Sequence, residues 1–166
     1  MIESRLKIRL STERPFRQFA PSFSTISAVR QEHRLPVPTG KLVLLIDNSP
    51  TIRHIVERTL RKEGYEVLSF RDGIEAMRWF AEQPEARTPD LMLVGVSLPK
   101  MDGYEVIQRF KTKPRFAHTT CIVLSQRDSA LDKLRGHLVG ANDYITKPFT
   151  TQQLLAAVQK GLAGNN

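Results

Sequence analysis

From Lys41 onward the sequence alternates short apolar runs with stretches of helical periodicity, and few folds can use such a pattern. The runs are LVLLI (42–46), YEVLSF (65–70), LMLVGV (91–96), CIVLS (121–125) and DYIT (143–146). Between the first two, Ile52, Ile55, Val56, Thr59 and Leu60 recur at the spacing of one helix face. Ser49 suits the N-cap of that helix, Pro50 its first turn and Gly64 its end. Further helices are predicted over 74–82, 104–111, 129–139 and 151–162. Five strands alternating with five helices give an α/β fold, a doubly wound parallel sheet covered on both faces. The first, third and fourth runs are apolar at consecutive positions, as strands buried on both sides require.

In an open parallel sheet the site lies outside the carboxyl ends of the strands, where the strand order reverses. The residues that follow the runs are Asp47 and Asn48, Gly95 through Ser97, Ser125, and Lys147. Spacing alone therefore gathers a carboxylate, an amide, a hydroxyl and an ammonium into one pocket.

The remainder of the chain limits what surrounds this pocket. At 166 residues there is room for one domain and an appendage, and two full domains would be a squeeze. Apolar runs as short as 42–46 and 91–96 cannot cross a bilayer. The single cysteine, Cys121, excludes an internal disulfide framework and fits a reducing, cytoplasmic setting. The net charge of +8 favours acidic partners and is unevenly spread, with seven Lys/Arg against three Asp/Glu in residues 1–40. That segment also carries five serines and four prolines, and LPVPTG (35–40) reads as a linker. Leu6, Ile8 and Leu10 alternate with Arg5, Lys7 and Arg9, a short strand or amphipathic patch. No continuous apolar core of a secretory signal is present, and the composition also resembles an organellar transit peptide. A mostly disordered basic tail over 1–40 is preferred. The organisation is then tail 1–40, folded domain 41–162 and a short C-terminal end 163–166.

Four segments carry a resemblance to a known family: LLIDNSPTIR, PDLMLVGVSLPKMDGYEV, CIVLSQRDS and GANDYITKPF. In order and at these spacings they resemble the receiver domain of two-component response regulators, over about residues 41–162. The resemblance implies the flavodoxin-like strand order 2-1-3-4-5. It also implies a phosphorelay role, with signalling partners such as a histidine kinase or a downstream target. The family's paired acidic residues after the first strand match Asp47 and Asn48, so the second is neutral. Its switch hydroxyl matches Ser125, its switch aromatic Tyr144, and its lysine Lys147, joined to Pro148 through a cis bond. The aspartate that accepts the phosphoryl group matches Gly95. The acceptor is missing.

An acyl phosphate needs a carboxylate nucleophile, in-line access and a divalent cation to balance the phosphoryl oxygens. Magnesium wants hard anionic oxygens. In the family's intact pocket carboxylates outnumber the lysine, and the cation makes up the difference. Here Asp47 faces Lys147 alone, a formal charge of zero, so no cofactor is expected and magnesium binding should be weak or absent. Asp47 is the weak candidate ligand, and a structural ion pair with Lys147 is its preferred role. Rescue by a neighbour is not expected either. Asp90 begins the same strand, roughly 16 Å from Gly95, Asp102 suits a helix cap, and Ser97 and Ser125 lack a base.

The other distinctive residues have plain readings beside functional ones. Gly95 also suits close packing of the loop that follows it. Tyr144 is either a switch or a fixed edge aromatic, Cys121 a buried core thiol, and His54 an exposed helix residue with no ligand role. RFKTKPRF (109–116) interleaves four basic residues with two phenylalanines, which would suit nucleic acid. A solvated connection with Phe110 turned inward is preferred.

The expected function is that of a phosphorylation-incompetent receiver, not an enzyme, acting through protein contacts. In the family these fall mainly on the face of the fourth helix, fifth strand and fifth helix. No output domain is expected after the fifth helix. The alternatives are a phospho-accepting regulator using a non-standard residue, and a nucleic-acid or anionic-surface binder working through the basic tail. A flavodoxin-like enzyme is disfavoured, because no phosphate-cradling loop follows the first strand.

Overall fold

A computed structural model describes residues 40–164, so the tail expected over 1–40 lies, Gly40 apart, outside the described residues. The elements are β1 (Leu42–Ile46), α1 (Pro50–Lys62), β2 (Glu66–Phe70), α2 (Gly73–Glu82), β3 (Leu91–Gly95) and α3 (Gly103–Lys111). A 3-10 turn at Pro114–Phe116 leads into β4 (Thr120–Ser125), followed by α4 (Ala130–Leu138), β5 (Asp143–Thr146) and α5 (Thr151–Ala163). The strands form one parallel sheet in the order β2-β1-β3-β4-β5, as the resemblance implied.

Side-chain chemistry sets the helix starts. Ser49, Asp72, Asp102, Ser129 and Thr150 each accept the backbone N–H three residues on. Each such cap stabilises its helix by about 1 kcal/mol. After α1 the chain turns through Gly64 at φ 85°, a left-handed conformation that glycine adopts without strain.

The sheet divides the apolar residues by strand alternation. Leu44, Ile46, Met92, Val94, Cys121 and Val123 face α2 and α3 on one side. Val43, Leu45, Leu91, Leu93, Ile122 and Leu124 face α1 and α5 on the other. Burying each of these side chains contributes about 1.5–3 kcal/mol. The helix face read on α1 is narrower than expected. Val56 and Leu60 are buried and Ile52 packs against the core, but Ile55, at the edge of the arc, is 41% exposed. Cys121 is a fully buried core thiol, and burial pushes its pKa up to about 12.

The basic segment 109–116 turns out to be a packing device. Phe110 and Phe116 are buried and meet Phe80 and each other edge to face, with ring centroids 4.9–6.0 Å apart. The Arg115 guanidinium lies over Phe80 and Phe116 and donates to Thr88 Oγ1 (3.0 Å), Pro84 O (3.0 Å) and Ala86 O. Lys111 Nζ donates to the Ala117 and Thr119 carbonyls, and Arg109 pairs with Glu105 at 2.7 Å. The inward turn expected of Phe110 holds. Around the two buried rings the connection is solvated, with Arg109, Thr112, Lys113 and Pro114 exposed, but three of the four cations are engaged and neither ring is free to stack on a base.

At the opposite end of the strands from the pocket, the Asp90 carboxylate holds the start of β1. It accepts the Leu42 N–H at 2.8 Å and the Lys41 ammonium at 3.1 Å. Burial pushes the Asp90 carboxyl up, but the Leu42 N–H and the Lys41 ammonium outweigh it and leave it below the ordinary aspartate value. A carboxylate with a lower pKa in the folded chain adds stability above the unfolded value and loses it as pH falls. The urea midpoint is therefore expected to drop below about pH 4, and Asp90→Asn to remove part of that drop. A variant whose decline matches that of the natural chain would contradict this assignment.

Candidate functional site

The carboxyl ends of β1, β3 and β4 and the loop after β5 converge, as the sequence predicted. Asp47 follows β1 and is fully buried. Its backbone N–H donates to Phe70 O at 3.1 Å, and its carbonyl accepts from the Arg53 guanidinium at 2.7 Å. The carboxylate is spoken for at both oxygens. Oδ1 accepts the Ser49 N–H at 2.9 Å, and Oδ2 accepts from the Lys147 ammonium, whose side chain is only 15% exposed. The structural ion pair preferred from the sequence is present. Arg53, which ties α1 to the same residue, was not singled out, because an arginine on a helix flank carries no signal of what it reaches.

Lys147 is placed by β5 and by its own backbone, whose N–H donates to Ser125 O at 2.6 Å. The Lys147–Pro148 peptide is cis, as the resemblance implied. Ser125 is 3% exposed at the end of β4, and its Oγ accepts the Arg127 N–H at 3.0 Å. Asn48 is exposed and lines a half-open cleft of about 730 Å³ with Ser49, Thr51, Ser97, Ser125 and Lys147. Hydroxyls, amides and one ammonium thus line the cleft, and the carboxylate lies behind them. Among the described residues no three His, Cys, Asp or Glu side chains are grouped to hold a metal ion.

Gly95 closes β3 directly over this pair. A Cβ built on it falls 2.6 Å from Asp47 Oδ2 and 3.2 Å from Asp47 Cγ. A side chain at 95 would therefore have to push the Asp47 carboxylate aside. This juxtaposition could not be read from the sequence, which places the two residues near each other but not in contact. Gly103 stacks on the other side of the same backbone. Its N–H donates to Val96 O at 2.9 Å, and a Cβ there would lie 2.1 Å from Gly95 O.

The other acidic candidates lie where the sequence suggested. Asp102 caps α3 through the Glu105 N–H at 2.9 Å and pairs with Arg135 at 3.2 Å. Asp90 sits at the far end of β3. Tyr144, half-buried on the edge strand β5, donates its hydroxyl to Arg127 O at 2.7 Å. Tyr104 is buried beneath α4, and its hydroxyl donates to Asp132 O at 3.2 Å. Burial, reinforced by Tyr144, raises the Tyr104 pKa. His54 lies exposed on α1.

With this geometry in view, the chain matches the model of the response regulator receiver domain over residues 43–159. Protein PilG of Pseudomonas aeruginosa is 36% identical over 120 residues, 72% of this chain and 86% of that protein. The chemotaxis protein CheY4 of Vibrio cholerae superposes with a TM-score of 0.68 at 33% identity, covering 74% of this chain and 98% of that one. The receiver domain of a Pseudomonas aeruginosa sensor histidine kinase superposes with a TM-score of 0.65 at 28% identity, covering 74% and 98%. That domain was solved with magnesium coordinated in its active site cleft.

Proposed function

This chain belongs to the response regulator receiver family of two-component and chemotaxis-type signalling, and on that premise we propose that it signals by contact, without accepting a phosphoryl group. One observation carries the proposal. At the position matching the family's acceptor stands Gly95, which has no nucleophile, and a Cβ there would press on the Asp47 carboxylate.

The electrostatics agree. Asp47 is neutralised by Lys147, its other oxygen is held by a backbone N–H, and Asn48 adds only an amide. A divalent cation stripping its water at this spot would gain one shared carboxylate, too little for a hard cation of strict geometry. The set does not fit magnesium. Phosphotransfer and its hydrolysis are then absent, and the protein is no enzyme.

Such a domain works through differential affinity, holding one conformation until a partner selects another. Its partners are signalling proteins, a histidine kinase or a downstream target for which it competes with phosphorylatable receivers. A cytoplasmic setting fits the buried thiol of Cys121 and the kinases such domains serve; no helix among the described residues is long and apolar enough to cross a membrane.

Intact mass after incubation with a small-molecule phosphodonor and magnesium tests the proposal, beside the double variant Gly95→Asp, Asn48→Asp. The natural protein is expected to stay unmodified while the double variant gains a phosphoryl group. The single change Gly95→Asp is expected to lag behind, because its Cβ must first displace the Asp47 carboxylate. A phosphoryl group on the natural protein would overturn the reading, and mapping it would identify the non-standard acceptor.

A further inference from the structure

The sheet ends at β2, which pairs with β1 alone. Glu66 donates its N–H to Lys41 O at 3.0 Å, and Phe70 O accepts the Asp47 N–H at 3.1 Å. In a parallel ladder the bonded residues alternate along the strand. Glu66, Leu68 and Phe70 therefore spend their backbone groups on β1, and Val67 and Ser69 turn theirs to the open edge. Most of that edge is closed by neighbours. The Tyr65 N–H donates to Leu60 O at 3.1 Å, the Arg71 N–H to the Glu75 carboxylate at 3.3 Å, and the Arg61 guanidinium to Val67 O at 3.3 Å. Between them the Val67 N–H, the Ser69 N–H and the Ser69 carbonyl have no protein partner.

Two further observations meet at the same gap. Ser69 Oγ is the one buried side-chain polar atom without a hydrogen-bond partner among the described residues. Such an atom calls for an explanation. On the opposite face of the strand Leu68 and Phe70 are only half-buried, and the half-buried Trp79 ring lies against Phe70 with centroids 5.9 Å apart.

The flanking helix states what fills the gap. Glu75, Trp79 and Glu82 recur at i, i+4 and i+7, so they share the α2 face that Trp79 sets against β2. The exposed Glu82 carboxylate makes no ion pair among the described residues, and the Glu75 carboxylate meets only Arg71. A second copy joined edge to edge would run antiparallel about a two-fold axis through the sheet, with α2 beside α2. That arrangement would set Glu75 and Glu82 against the same carboxylates. We propose that the Val67–Ser69 edge takes up an extended segment of a partner protein as a sixth strand. Its residues place an apolar side chain on Leu68 and Trp79, Lys or Arg toward Glu82, and Ser or Thr beside the Ser69 hydroxyl. This edge is the one farthest from β5, outside the face of α4, β5 and α5, and it does not involve the pocket.

The test uses the full chain, fluorescence anisotropy and three short labelled peptides. One alternates Val and Lys on one face with Thr on the other, the second carries Glu for Lys, and the third is the lysine peptide N-methylated at alternate residues. The lysine peptide is expected to bind at least about tenfold tighter than either of the others, and to slow amide exchange at Val67 and Ser69. Ser69→Pro removes one outward N–H and leaves the β1 ladder intact, and it is expected to weaken the lysine peptide by about tenfold or more. Glu82→Lys, at an exposed helix position free of any strain a proline adds, is expected to reverse the charge preference. Equal binding of the N-methylated peptide, an unchanged preference in Glu82→Lys, or no binding below about 1 mM would overturn the proposal. So would a concentration-dependent dimer abolished by Ser69→Pro, which would give the edge to a second copy.

Discussion

Gly103→Ala is expected to lower the stability of the domain by about 3–4 kcal/mol, the largest effect of any single methyl group described above. The added carbon would sit 2.1 Å from Gly95 O and 2.9 Å from Val96 Cα, atoms of backbone that cannot rotate aside. Relief requires the first turn of α3 to lift from the end of β3, which breaks the Gly103 N–H to Val96 O bond. It also loosens Tyr104, Val106 and Ile107, the core residues that follow in the same helix. Gly164→Ala supplies the control, since its Cβ would meet only Lys160 O at 4.0 Å, and its expected change is within about 0.5 kcal/mol. Urea denaturation of the two variants side by side decides the matter. Equal midpoints would show that the α3 start does not press on β3.

The second large effect concerns the Asp47–Lys147 pair, and the two partners are expected to differ. Lys147→Met leaves a carboxylate that is fully buried, with the Ser49 N–H as its one remaining donor. An uncompensated buried charge costs about 3–5 kcal/mol. Asp47→Asn leaves an ammonium on a long stem at the wall of an open cleft, and that stem can swing its head into water. Its cost is expected to be nearer the low end of about 1.5–3 kcal/mol, the value of a hydrogen bond to a charged group. The double variant should recover part of the Lys147→Met loss, because it removes the orphaned charge. A double-mutant cycle on urea midpoints measures this. Strict additivity would mean that the two groups do not depend on each other.

The fold was legible because burial on both faces of a parallel sheet writes itself as continuous apolar runs, and 42–46, 91–96 and 121–125 are such runs. Caps at Ser49 and Asp102 were legible for a local reason, since a cap is satisfied within three residues. The pocket's membership followed from strand ends, which a run's length locates to within a residue. What escaped depended on contacts between distant segments. Phe116 and Arg115 look like loop residues until α2 is placed against them, and Ile55 looks buried until the width of the α1 arc is known. The α4 leucines would be assigned to the core by periodicity alone, yet the inward position belongs to Gly136, which marks itself only by lacking a side chain. The overlap of the Asp47 carboxylate with the missing side chain of Gly95 is a matter of ångströms, below what spacing can report.

The anchorage of β1 has a mechanical consequence. This strand is where the folded unit joins the forty residues before it, and it lies between β2 and β3, parallel to both. A pull applied through the preceding chain runs along the strand axis, so both ladders are loaded in shear and must give way together. Asp90, gripping Leu42 N and Lys41 Nζ at the point of entry, takes the first of that load. Resistance to force is set by the unfolding rate rather than by equilibrium stability. Under such a load the unfolding rate is expected to depend on both β1 ladders and on the Asp90 contacts at the entry.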